Sequence, residues 1–153
     1  MIFFDTESVG LRGPLVTIQW CYFSGQIYIR YIWETPVFST LDLIESFTKE
    51  TIVGFNLTHD WFVLNKWYNI FRQVEDKNDL PRPSEIRRLE AAGPKFNDLC
   101  LKPRRAIDLM LIARSGTFQY LAKHKPITIS KIPITVIEKV IEQLNKIELP
   151  IGC

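Results

Sequence analysis

The sequence predicts an α/β fold: a mixed sheet, made of an antiparallel hairpin plus parallel strands, flanked by helices. Three observations predict it. Short β-branched and aromatic runs at 2–4, 15–23 and 26–33 precede any helical pattern. Apolar residues then recur at helical spacing after Asp42 and again after Asp60. Between those two stretches lies Thr51-Ile52-Val53-Gly54-Phe55, an apolar run too short for a helix. A strand, a hairpin and then alternating helix and strand is the order of a sheet covered by helices.

Ile2-Phe3-Phe4 is an apolar run ending at Asp5, a buried strand that delivers an acid at its exit. Gly10, Gly13 and Pro14 punctuate the loop that follows. Residues 15–23 and 26–33 form a hairpin about the turn signal Ser24-Gly25. Pro36 ends that pattern, and Ser39 with Asp42 resembles a capping box for a helix carrying Leu41, Ile44 and Phe47. The strand 51–55 ends at Asn56, and Asp60 opens a second helix with Trp61, Leu64, Tyr68 and Phe71 on one face. Residues 75–104 are rich in proline and charge and read as a surface insertion with one short helix over 84–92. Arg105-Ala106-Ile107 is a further strand, and Asp108 caps a helix running towards Tyr120. Pro133 suits the first turn of a final helix with Ile134, Ile137, Val140, Ile141 and Leu144 on one face.

Composition excludes several classes. With 46% apolar and 24% charged residues the chain has the makings of an ordinary core, so disorder is not indicated. No apolar run reaches the ~18 residues that span a bilayer, and the start lacks the cationic and apolar regions of a signal peptide. A net charge of +2 does not by itself announce a nucleic-acid binder. Basic residues are nevertheless clustered, at Lys102, Arg104 and Arg105 and again at Arg114, Lys123, Lys125 and Lys131. They offer a track for a phosphate backbone, or simply a solvated surface. Cys21, Cys100 and Cys153 form no CxxC pair, so free thiols in a reducing compartment are expected.

Two short segments carry chemistry. Asp5 and Glu7 lie at i and i+2 on a strand and so share a face. Two carboxylates on one face repel unless a cation lies between them, and hard oxygen donors suit Mg²⁺ or Mn²⁺. A solvated turn produces the same triplet, but the preceding Ile-Phe-Phe run makes these acids an exit from the core. The second segment, Asn56-Leu57-Thr58-His59-Asp60, brings another carboxylate to the carboxyl end of a buried strand, where open α/β sheets place ligands. A turn-forming Asn and a helix-capping Asp would look alike here.

Taken together, these segments resemble the DEDD family of 3′→5′ exonucleases, most closely the proofreading domain of phage-type family A DNA polymerases, and the element order resembles the ribonuclease H-like fold. Asp5-Thr6-Glu7 matches the family's first motif and Asn56-Leu57-x-x-Asp60 its second. The stretch Ile107-Asp108-Leu109-Met110-Leu111 matches a structural segment. The resemblance is good over about 1–75, moderate over 105–122 and poor elsewhere. It implies a two-metal mechanism with two Mg²⁺ or Mn²⁺ ions held by Asp5, Glu7 and Asp60, releasing mononucleotides from a single-stranded or frayed DNA 3′ end. It implies substrate contacts by Ser8, Leu11 and Asn56, and a polymerase domain in the same or a partner chain. Arg104, Arg105, Lys123 and Lys125 become the candidate nucleic-acid contacts, and the host-cell cytoplasm the expected location.

One departure is marked. The family's third motif carries a fourth acid, with a Tyr or His four residues before it. No Asp follows Asp108; His124 stands four residues after Tyr120, and Thr128 four after His124. Glu138 and Glu142 are placed to pair with lysines along the last helix. Residues 1–153 are therefore expected to form one domain without its carboxyl-terminal part. A fragment, a fourth acid from another chain and a degenerate site are all open explanations. The alternative function is a catalytically incomplete module that binds nucleic acid or docks a polymerase.

Overall fold

The computed structural model describes residues 1–11 and 13–114. Five strands form one sheet: β1 (Ile2–Ser8), β2 (Leu15–Tyr22), β3 (Ile27–Tyr31), β4 (Thr51–Gly54) and β5 (Arg105–Asp108), in the order β3-β2-β1-β4-β5. The pairs β1–β2 and β2–β3 are antiparallel, while β1–β4 and β4–β5 are parallel. The expected mixed sheet, hairpin plus parallel strands, is therefore present. Among the described residues four α-helices accompany it: α1 (Val37–Thr48), α2 (Leu57–Arg72), α3 (Pro83–Ala91) and α4 (Leu109–Arg114). Among the described residues, no helix is long and apolar enough to cross a membrane.

Alternation along β1 divides its side chains. Ile2 and Phe4 are buried, whereas Asp5 and Glu7 are exposed on the opposite face. Phe4 packs against Phe47 of α1 and Trp61 of α2, with ring centroids 5.6 and 6.2 Å apart. α1 earns this place through Val37, Thr40, Leu41, Ile44 and Phe47, a single stripe at helical spacing. Buried Val63, Trp67 and Ile70 widen the apolar face of α2, because α2 is covered by the sheet on one side and by α3 on another.

The start of α1 departs from the sequence reading. Ser39 and Asp42 do not cap it; Pro36 is the N-cap residue and makes no side-chain cap bond. Two of the helix's first free amides are instead taken by the insertion: Val37 N donates to Asp79 O at 3.1 Å and Phe38 N to Lys77 O at 2.8 Å. Ser39 Oγ accepts from Arg30 on β3. The second hairpin arm also ends early, with residues 32–34 in a 3₁₀ turn that buries Ile32.

The insertion is anchored rather than merely draped over the surface. Asn69 of α2 donates to Leu99 O at 2.7 Å and accepts from Leu99 N at 2.8 Å. Asn65 accepts from Leu101 N, and the Trp61 indole donates to Leu101 O, both at 2.8 Å. The short helix falls where expected, with Pro83 in its first turn and Ile86 and Leu89 turned inward. Cys21 is a free thiol, but Cys100 is disulfide-bonded, which corrects the expectation of free thiols. The continuation of the helix after Asp108 towards Tyr120 and the final helix after Pro133 also lie outside them.

Candidate metal and nucleic-acid site

The candidate site lies where β1 outruns β4. The paired register of these strands stops at Phe3↔Val53, and β4 ends at Gly54. A Cβ on Gly54 would lie 2.9 Å from Leu57 Cδ1 and 3.0 Å from Phe4 O, so any side chain here would crowd the close approach of this turn to β1. The next residues are Phe55, Asn56 and the start of α2.

Beyond that point the edge of β1 is met by Asp60. Asp60 Oδ1 accepts from Thr6 N at 3.2 Å and from Thr6 Oγ1 at 2.5 Å. Thr6 is the residue between Asp5 and Glu7, so this pair brings the second motif against the first. Asp60 is 5% exposed. Burial pushes its carboxyl pKa up; the Thr6 hydroxyl opposes the rise, the nearby charge of Asp5 adds to it, and the Thr6 amide and His59 oppose it. Asp60 does not cap α2, although it stands in the first turn.

The three predicted acids are only partly brought together. Asp5 and Asp60 are close enough to interact electrostatically, and Glu7 shares the face of Asp5. Among the described residues, no three His, Cys, Asp or Glu side chains are gathered into a metal-holding group. In kind, the donors fit a hard divalent cation: all are carboxylate oxygens, and a cation beside Asp5 and Asp60 would offset both the burial of Asp60, the main cause of its raised pKa, and the smaller repulsion by Asp5.

Asn56 is the one non-glycine residue with positive φ among those described, at 58°. It precedes α2 as the N-cap residue without a side-chain cap bond, which leaves its carboxamide at the exposed surface. Asp108 holds the backbone there. Its Oδ1 accepts from Asn56 N at 3.0 Å and from Met110 N at 2.9 Å, and its side chain is buried. The helix-capping role read for Asp108 is present, and the tie to Asn56 is an addition that the sequence did not reveal. Only an acid following a strand hinted at it.

Of the other predicted residues, Ser8 donates its hydroxyl to Gly10 O at 2.8 Å, inside the loop leaving β1. Leu11 is 81% exposed in that loop. Arg104 and Arg105 are exposed at the start of β5, on the far side of β4 from β1. Lys123 and Lys125 lie outside the described residues. Trp61 and Trp67 are buried, but Phe55 and Phe62 are each 64% exposed, on either side of Asp60 in sequence. Helical spacing did not separate them from core positions, because Phe62 neighbours buried Trp61 and Val63.

No protein-family model, curated protein or solved structure matches this chain.

Proposed function

We propose that the chain is a metal-dependent 3′→5′ exonuclease domain of the proofreading type, built on a ribonuclease H-like fold and working with a DNA polymerase. The observation that carries this reading is the Thr6–Asp60 pair, which seats an acid from the start of α2 beside Asp5 at the open edge of β1. The strand order β3-β2-β1-β4-β5, with its acids at the carboxyl ends of β1 and β4, supports the fold assignment.

In this reading Asp5, Glu7 and Asp60 hold Mg²⁺ or Mn²⁺. The bound ions supply charge neutralisation and an activated water for phosphodiester hydrolysis. Thr6 acts as a positioning residue, fixing the Asp60 carboxylate through two donors. Asn56 presents its carboxamide to the sugar–phosphate of the terminal nucleotide, and Leu11 meets its base. One feature favours the competing reading, a nucleic-acid-binding or polymerase-docking module without turnover: one Asp60 oxygen is already taken by both Thr6 donors.

The test is release of mononucleotides from 3′-labelled single-stranded DNA by the chain with Mg²⁺ or Mn²⁺. Release that Asp5→Ala abolishes is the expected result. Retention of DNA without release would overturn the exonuclease reading in favour of the binding module.

A further inference from the structure

β3 is one edge of the sheet: among the described residues only β2 pairs with it, so its outer row of amides and carbonyls faces no strand. Its five residues, Ile27-Tyr28-Ile29-Arg30-Tyr31, pair with β2 in one unbroken register. Ile27, Ile29 and Tyr31 share a face and are 69%, 48% and 53% exposed. Edges are ordinarily protected by charge, by proline or by a bulge. β5, the opposite edge, follows that rule and opens on Arg105 directly after Arg104. β3 has no such protection. Its one charge, Arg30, is turned to the other face, where it donates to Ser39 of α1.

The order of side chains along β3 suits a second copy of itself. An antiparallel pair with a two-fold axis at Ile29 sets Ile29 opposite the second copy's Ile29, Ile27 opposite its Tyr31, and Tyr28 opposite its Arg30. One face of the new ladder is then wholly aliphatic and aromatic, the kind of cross-strand pairing that stabilises a sheet. On the other face each guanidinium meets a tyrosine ring, so no like charges stand opposite each other. Neighbouring registers lose these matches. An axis at Arg30 would oppose two arginines, and an axis at Tyr28 would set Tyr31 against Gly25, beyond the strand. Tyr31 O already accepts from Thr35 Oγ1 at 2.8 Å, which leaves it one lone pair for the ladder.

We infer that two copies of this chain associate through β3, edge to edge and antiparallel about Ile29, and so join their five-stranded sheets into one continuous sheet. A contact of this symmetry closes at the dimer. Five residues make a small interface, so the dimer forms at roughly micromolar concentration. The face that carries Ile29 also carries Asp5, across Gln19 of β2. The axis is perpendicular to the sheet, so both Asp5 carboxylates open on the same side of the dimer. They lie on the order of 24 Å apart, at five strand spacings of ~4.8 Å.

Sedimentation velocity of the full chain over roughly 1–200 μM tests it. The expected result is a monomer that gives way to a dimer as concentration rises. Ile29→Lys and Ile29→Glu each set like charges on the two-fold axis and should stay monomeric, while an equimolar mixture of the two should dimerise. Ile29→Val, which keeps a β-branched side chain, should dimerise like the wild type. Circular dichroism verifies that the variants are folded. Amide exchange along β3 should slow as the wild type dimerises, a reading that needs no variant. A wild type that stays monomeric, or β3 exchange that ignores concentration, would overturn the inference. So would a dimer that persists in Ile29→Lys and Ile29→Glu, or a mixture of the two that stays monomeric. Growth beyond the dimer would also overturn it, because two-fold pairing leaves no β3 edge open. The nuclease reading fails separately: Asp5→Ala should remove cleavage and leave the dimer intact, and Ile29→Lys should do the reverse.

Discussion

Thr6 gives both of its hydrogen-bond donors, amide and hydroxyl, to a single oxygen of Asp60, fifty-four residues away in sequence. Strand geometry explains why the amide is free to do so: β4 has ended, and among the described residues no other strand pairs that edge of β1. The hydroxyl is the replaceable half. Thr6→Val keeps the β-branched shape that suits a strand and removes one donor. The Asp60 pKa should rise further, read by carboxyl ¹³C NMR titration, and metal-dependent cleavage should fall about tenfold or more. Loss of a hydrogen bond to a charged group should cost roughly 1.5–3 kcal/mol of Asp60 ionisation.

Asp60 itself makes stability depend on pH. Its folded pKa lies above the ordinary carboxylate value, so the folded state holds this proton more tightly than the unfolded one. That contribution is fully present below the unfolded pKa and is lost as pH rises through the raised folded value. In EDTA, Asp60→Asn should be more stable than the wild type at pH 7 and differ little at pH 3. Urea denaturation at the two pH values measures this; an equal offset at both would show that ionisation is not the cause.

How much of this was legible beforehand differs by element. The alternation and short apolar runs of residues 2–33 located β1 to β3, and the stripe Trp61, Leu64, Tyr68 and Phe71 located α2. The nearness of Asp60 to Asp5 followed from a strand that ends in an acid and a helix that opens with one after the next buried strand. The cap of α1 was not legible, because its acceptors, Asp79 O and Lys77 O, are backbone atoms forty residues away that carry no sequence signal. The exposure of Phe62 was hidden for a similar reason. A helix covered on two sides has no simple period, so a neighbouring exposed position cannot be separated from its buried flanks.

The left-handed backbone at Asn56 separates conformation from contact. Asn56→Gly adopts that φ without strain and should leave stability within about 1 kcal/mol of the wild type. Asn56→Val, which resists positive φ, should lower it by roughly 1–2 kcal/mol. If the carboxamide meets the substrate, both variants should weaken oligonucleotide binding in spite of their different stabilities. Thermal melts and anisotropy on the same two proteins test this.

Asp108 secures the same turn from the other side. Asp108→Ala would leave the Asn56 and Met110 amides without their acceptor, at a cost on the order of 2–4 kcal/mol. Amide exchange at Asn56 should accelerate in this variant. Asp108→Asn, which keeps Oδ1, should retain most of the protection.

Tyr68 donates to Glu45 Oε1 at 2.6 Å and joins α2 to α1. Burial first, then the hydrogen bond and charge of Glu45, push its pKa from the ordinary 10 up to about 12. A raised folded pKa is stabilising below the unfolded value and the gain is lost above it. Stability should therefore fall between pH 10 and 12, by on the order of 1–2 kcal/mol. Tyr68→Phe should be less stable at pH 7 and should lack that alkaline loss, as followed by urea denaturation across the interval.

Direct Mn²⁺ binding tests most simply whether Asp5 and Asp60 form a divalent-metal site at the edge of β1. Titration of the metal-free protein, followed by the Mn²⁺ electron paramagnetic resonance signal, should show saturable binding. Asp5→Asn and Asp60→Asn should each weaken it by about tenfold or more, and Mg²⁺ should compete. Unchanged Mn²⁺ binding in both variants, with the fold intact, would rule out a metal site at these two carboxylates.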